Sequence, residues 1–301
     1  MSSPDPAVWL ALVIGNTRLH WGFFQQQRLV GVWHTPHLSA GRVSALKEAG
    51  FGAAAWQAIA DLTPTEKADL PQSPLPPGSL WMTAAVPDQA ALWMKSPAPA
   101  QPVQRANFPM AGLYPTFGLD RAVNLLGAGS TLGWPVLVID GGTALTFTAG
   151  GPQTPPQTGH APANSITLYG GAILPGLRLQ GEALALRTAA LDEAIAVSQT
   201  LFESALRSQP TALPQRWATD TAGAIASGLA YGATSTLADY LTDWWQQYPT
   251  GQAVLTGGDG PALYTLLQQR TPALAARVQV DSHLMFWGMQ CYRQACNQAA
   301  R

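Results

Sequence analysis

Leu10–Gly22 reads LALVIGNTRLHWG, and Trp134–Thr148 reads WPVLVIDGGTALTFT. In each, an apolar run ends in a small polar turn, and a strand-like alternation returns from it. A short apolar run bounded by turn residues predicts a buried strand, and the return predicts a hairpin. Laid over each other, Val13-Ile14-Gly15-Asn16-Thr17 matches Asp140-Gly141-Gly142-Thr143-Ala144. The same strand–turn–strand unit thus occurs twice, about half a chain apart, which predicts one copy per domain. Such turns aim backbone N–H groups and small hydroxyls at one spot, which suits a phosphate. Phosphate chemistry also calls for a carboxylate to hold Mg²⁺. Asp140 supplies one at the second turn, whereas Val13 stands in that place at the first. The first turn therefore reads either as a phosphate loop without its acid or as a plain hairpin.

Outward from these turns, helices and strands alternate. Val43, Leu46 and Ala49 predict a helix over 39–60, and Asp120 opens one over Gly118–Leu132 with Val123, Leu125 and Leu126 as its apolar residues. Further helices are expected over Asp88–Met94, Leu177–Leu191, Asp192–Ser208, Thr221–Tyr248, Pro261–Gln269 and Phe286–Ala299. Short strands are expected at Trp81–Val86, Ala253–Thr256 and Val278–Val280. Leu70–Ser79, Ser96–Pro102 and the Pro- and Gln-rich Gly150–Asn164 read as loops, and Tyr169–Gly176 as a Gly-rich connection. The pattern is α/β with some antiparallel pairing at each hairpin.

Composition narrows the function. The chain has 301 residues, room for one large domain or two of ordinary size. It is 47% hydrophobic and 11% charged, which fits a compact globular protein. A net charge of −1 offers no basic face, so nucleic acid is not an expected partner. The N-terminus MSSPDPAVWL lacks the basic and apolar regions of a signal peptide, and no apolar stretch long enough to span a membrane is seen. Cys291 and Cys296 read as free thiols on a terminal helix, consistent with a reducing compartment and a cytoplasmic location. His20, His34, His37, His160 and His283 show no metal-ligand spacing. The eleven tryptophans read as packing rather than as a stacking platform.

Three stretches carry chemistry. Asp140, before Gly141-Gly142-Thr143, is placed to meet Mg²⁺ directly or through water, although Asp-Gly also opens ordinary hairpins. In Gly118-Leu119-Asp120-Arg121, the Asp either caps its helix or takes a proton from a substrate hydroxyl. Arg121 opposes the helix dipole there, which suggests an anionic ligand such as a carboxylate. Thr256-Gly257-Gly258-Asp259-Gly260 is either a backbone surface for a nucleoside or a plain strand-to-helix turn.

The order Gly-Asn-Thr, Gly-Leu-Asp-Arg, Asp-Gly-Gly-Thr-Ala, Gly-Gly-Ala-Ile-Leu-Pro-Gly and Thr-Gly-Gly resembles the type III pantothenate kinases, of the acetate-kinase, sugar-kinase, Hsp70 and actin superfamily. The resemblance covers roughly residues 10–290. It implies two ribonuclease-H-like (actin-like ATPase) domains with a cleft between them, here 1–134 and 135–301, the terminal helix being free to pack back on the first. It implies ATP-dependent phosphorylation of pantothenate, the first step towards coenzyme A, with Mg²⁺, a monovalent cation (K⁺ or NH₄⁺) and a homodimer. By the same resemblance Asp120 is the general base, and Gly118 and Arg121 contact pantothenate, Arg121 through its carboxylate. Gly15, Asn16 and Thr17 form the first phosphate turn, and Gly142 and Thr143, with Asp140 as metal ligand, the second. Gly170, Gly171, Pro175 and Gly176 line the substrate, and Thr188 reaches the partner subunit's site. Thr221, beside Asp220 and with Gly228, joins this set on the nucleotide side, where Gly257 and Gly258 lie. Tyr114 is assigned to the substrate, although the family's tyrosine stands a few residues further ahead of Gly118.

This chain departs from the family pattern at Val13, where an Asp is usual, and at Thr148, where the second hairpin usually carries another Asp. The first departure favours a phosphate loop that lost its acid; the second bears on the monovalent cation site. A degenerate regulatory protein that binds nucleotide or pantothenate without catalysis is the alternative, and a kinase or phosphatase for another substrate is a third reading. Retention of both Asp120 and Asp140 favours the enzyme, and Arg121 favours a substrate with a carboxylate.

Overall fold

The computed structural model describes residues 7–59, 62–95, 98–153, 166–187 and 213–299. Two compact units emerge: Met1–Ser130 with Met285–Arg301, and Thr131–Leu284. Each is built on a five-stranded sheet.

In the first unit β1 (Val8–Ile14), β2 (Leu19–Gln25) and β3 (Arg28–Thr35) form an antiparallel meander; β4 (Leu80–Ala84) pairs parallel to β1, and β5 (Gln101–Pro102) parallel to β4. The order is β3-β2-β1-β4-β5. The second unit repeats this with β6 (Val136–Gly141), β7 (Ala144–Pro152), β8 (Ile166–Pro175), β9 (Gln252–Thr256) and β10 (Gln279–Val280), in the order β8-β7-β6-β9-β10 and with the same senses of pairing. The sequence repeat is therefore a repeat of sheet topology. Its register also holds: Val13 pairs with His20 one step before the last pair of its hairpin, Ile14–Leu19, and Asp140 pairs with Thr146 one step before Gly141–Leu145.

β1 and β6 sit mid-sheet and are covered on both faces, so they read as continuous apolar runs rather than alternating ones. One face of the first sheet is closed by tryptophans. Trp21 stacks with Trp33 and meets Trp56 and Trp93 edge-on, at ring separations between 4.8 and 6.3 Å, and all four are fully buried. The helix Leu284–Ala299 brings Phe286 against Gly22, where a Cβ would come within 2.7 Å of the ring, and Gly288 against the Val123 backbone. Glycine at 22 and 288 is what allows that contact. In the second unit the helix Thr221–Gln247 turns Leu229, Ala233, Leu237, Leu241 and Trp244 to the sheet, a stripe at helical spacing. Asp220 caps it, accepting from Gly223 N–H at 2.8 Å.

Several expectations need correction. The helix expected over 39–60 is two, Ala40–Glu48 and Ala53–Ile59, because Gly50 and Phe51 both take φ of +62° and break the helical path. Tyr169–Gly176 is not a loop: most of it is strand β8, whose ladder is made by backbone groups that glycines supply as well as any residue. Gly150–Pro152 likewise belong to β7, not to the expected loop. Residues 154–164 of that loop, the expected helix Asp192–Ser208 and Thr188 lie outside the described residues. The short helix Pro64–Ala68 was not foreseen, although Thr63 and Glu66 form a capping box that sequence could have shown.

Candidate active site

In the second unit, Asp140 is the next-to-last residue of β6, which delivers it beside the Gly142–Thr143 turn. Gly142 N–H donates to the Ala144 carbonyl at 3.0 Å and closes the turn. Three glycines crowd onto it. A Cβ on Gly257 would strike the Asp140 carboxylate and the Gly141 carbonyl, and Gly257 has φ of +81°. A Cβ on Gly176 would strike the carbonyls of Gly142 and Thr143, and one on Gly141 would meet Leu263 at 2.6 Å. Asp259 N–H donates to the Gly141 carbonyl at 2.9 Å and joins the β6 and β9 turns. Glycine at 257 and 176 lets backbone pack closely on the carboxylate and the turn, and a turn of this kind is open to a phosphate.

Two side chains of the 256–260 stretch, expected only as a backbone surface, gain a place here. Thr256 lies in register with Asp140 on the neighbouring parallel strand, fully buried, and its hydroxyl has no hydrogen-bond partner. Asp259 is half-buried; desolvation pushes its carboxyl pKa up, and Arg178 opposes that. Gly258 is exposed, with nothing within 4 Å of a Cβ. Gly171 is exposed on β8 opposite the buried Thr148, and Thr221 is the exposed first residue of its helix.

In the first unit, Gly15 N–H donates to the Arg18 carbonyl at 3.0 Å, and Asn16 and Thr17 are exposed at the tip. His37 donates from Nε2 to the Gly15 carbonyl at 2.9 Å. His20 and His34 sit opposite each other on β2 and β3, their Nδ1 atoms 3.0 Å apart. His20 is pushed down to about 4, first by burial and then by His34 and Arg18. This pairing runs across strands, so the spacing of the histidines along the chain does not show it. Thr83, beside Val13 on β4, is buried with no partner for its hydroxyl, as Thr256 is beside Asp140.

The helix Leu119–Leu132 carries the other group. Asp120 lies exposed in its first turn, and a side chain on Gly118 would run into its carboxylate. Arg121 is buried, its guanidinium 4.7 Å over the Phe117 ring. Tyr114 is exposed and meets Phe117 edge-on at 5.2 Å. Arg105, which the sequence did not single out, donates to the carbonyls of Tyr114 and Phe117 and so fixes the segment leading to Asp120.

The family model of type III pantothenate kinase matches residues 9–243. The chain belongs to this family. The type III pantothenate kinase of Nostoc sp. is 37% identical over 283 residues, covering 94% of this chain and 93% of that one. That of Thermosynechococcus vestitus is 36% identical over 302 residues, covering 100% and 95%. Among solved structures, a conserved Baf family transcriptional activator from Campylobacter jejuni superposes with a TM-score of 0.50 at 15% identity, covering 96% of this chain and 99% of that chain. At that identity the likeness speaks for the fold alone, which is the two-unit α/β fold expected of a type III pantothenate kinase.

Proposed function

We propose that the protein transfers the γ-phosphoryl group of ATP to the 4′-hydroxyl of pantothenate, the reaction for which its relatives are named, and so begins coenzyme A synthesis in the cytoplasm. The observation that carries this is the second phosphate turn. Asp140, Gly142 and Thr143 are retained, and Gly257, at positive φ, is backed onto the carboxylate where any other residue would displace it. In this reading Asp120 accepts the hydroxyl proton as general base. Arg121, Gly118, Tyr114, Gly171 and Thr221 hold pantothenate, and Arg121 pairs with its carboxylate. Gly15, Asn16, Thr17, Gly142, Thr143, Gly257 and Gly258 hold the nucleotide.

Mg²⁺ fits the donors at the second turn. Asp140 offers a carboxylate, and Thr256 offers a buried hydroxyl with no partner, in register beside it. When bound there, the ion would neutralise charge on the transferring phosphates. We extend the family's homodimer and its K⁺ or NH₄⁺ requirement to this chain, with Thr148 in place of the usual carboxylate. Val13 favours one other reading, a regulatory protein that binds without catalysis. Mass spectrometry for phosphopantothenate, with Mg²⁺ present and the monovalent cation varied, separates the two. Product supports the kinase; bound ligand with no product under any cation supports the regulator.

A further inference from the structure

We propose that His20 receives a phosphate group of the nucleotide at the Gly15–Arg18 turn, in place of the metal-holding carboxylate that Val13 lacks. The inference rests on the kinase reading. It follows from comparing two rows of side chains, because residues directly paired on neighbouring strands share a face of the sheet. In the second sheet the row is Ile173, Thr146, Asp140, Thr256. The equivalent row in the first sheet is His34, His20, Val13, Thr83. Where one row holds a carboxylate, the other holds an aliphatic side chain with two imidazoles next to it.

The first turn has therefore exchanged an acid for bases. Arg18 is part of the turn, His20 and His34 stand beside it on β2 and β3, and His37 is bound to the Gly15 carbonyl. The acid on a neighbouring element, Glu66, faces His34 and is already engaged by Thr63 and by the His34 backbone N–H. A Cβ built on Gly15 would lie 3.5 Å from His20 Nε2, so that edge of the ring lies at the turn while Nδ1 faces His34.

In the free protein His20 is neutral at pH 7, held down first by burial and then by the adjacent His34 and Arg18. A phosphate at the turn reverses that balance. One proton from solvent moves onto His20. Its Nδ1–H then donates to a neutral His34, and its Nε2–H donates to a phosphate oxygen. No covalent bond changes. Binding is therefore linked to proton uptake, and affinity rises as pH falls.

The test uses the full chain, the β,γ-imido analogue of ATP, and EDTA to exclude metal. Affinities are measured by calorimetry between pH 5.5 and 8, in buffers of different ionisation enthalpy, for the natural protein and for His20→Asn. The ratio of the two affinities cancels titration of the analogue itself. The expected ratio grows by up to about tenfold per pH unit on going from pH 7 to 6, with uptake of about one proton by the natural protein only. His34→Gln, which can still accept from His20, should keep a weaker form of the same slope. Should His20→Asn fail to fold, ¹⁵N spectra of the natural protein decide: the analogue should move His20 to the imidazolium pattern. A flat ratio, or a His20 that stays neutral with analogue bound, overturns the proposal; if phosphopantothenate still forms, the kinase reading survives that result. Absence of analogue binding at every pH overturns this proposal, while phosphopantothenate formation with Mg²⁺ present decides the kinase reading separately.

Discussion

Gly257→Ala and Gly258→Ala are neighbouring substitutions with the same change in volume, and the structure predicts opposite outcomes. Gly257 has φ of +81°, and its missing side chain faces the Asp140 carboxylate and the Gly141 carbonyl. An alanine there bears about 1–2 kcal/mol for the left-handed backbone. The Gly141 carbonyl cannot retreat freely, since β6 lies between β7 and β9, and forced repacking adds roughly 1–2 kcal/mol. The total is about 2–4 kcal/mol, or roughly 5–12 °C in Tm for a unit near 150 residues. Gly258 has nothing within 4 Å, so alanine there should stay within about 0.5 kcal/mol. Urea and thermal unfolding measure both, and KM for ATP is read in parallel. Gly257→Ala should raise that KM, because relief of the clash displaces Asp140 or the phosphate turn. Equal stability of the two variants, or an unchanged KM in a destabilised Gly257→Ala, would refute the idea that this glycine shapes the site.

Three further outcomes can be checked. Lys47 is 5% exposed and donates to the carbonyls of Leu92, Trp93 and Lys95, closing the end of the helix Pro87–Met94; Lys47→Met should lower unfolding free energy by about 2–3 kcal/mol in urea titration. His20 is held at about 4 when folded against 6.5 for a free imidazole, so the unfolded chain binds the extra proton between those values. Stability should therefore be nearly unaffected above pH 6.5, fall by about 3 kcal/mol as pH drops to 4, and lose that part of its slope in His20→Asn. Val13→Asp places a carboxylate beside His20 and should lower the Mg²⁺ concentration for half-maximal activity by about three- to tenfold; an unchanged Mg²⁺ profile would mean that the first turn never meets the metal.

The fold was legible where pattern and role coincide. Apolar runs into Gly-rich turns marked β1 and β6, and the register confirms their equivalence down to Val13 and Asp140. β8 was missed because Gly170 and Gly171 carry no strand signal, while their backbone groups pair all the same. The break at Gly50–Phe51 was missed because a bulky residue at positive φ is not written in helical periodicity. At the site, sequence could give Asp120 and Asp140 roles, but it offered 256–260 only as a backbone surface, without roles for the Thr256 and Asp259 side chains, and did not single out Arg105. Their importance comes from register and hydrogen bonds between segments distant along the chain. The His20–His34 pair shows the same limit, being fourteen residues apart in sequence and 3.0 Å apart across β2 and β3.

The central claim is that this chain phosphorylates pantothenate with Asp120 as base. ATP-dependent formation of phosphopantothenate, followed by mass spectrometry for the natural protein and Asp120→Asn, tests it most directly. Asp120 is exposed at the start of its helix, so the substitution should leave the fold intact. Product is expected from the natural protein, with a loss of about 10²–10⁴-fold in kcat for Asp120→Asn. No product under any cation, or an Asp120→Asn variant as active as the natural protein, would contradict it.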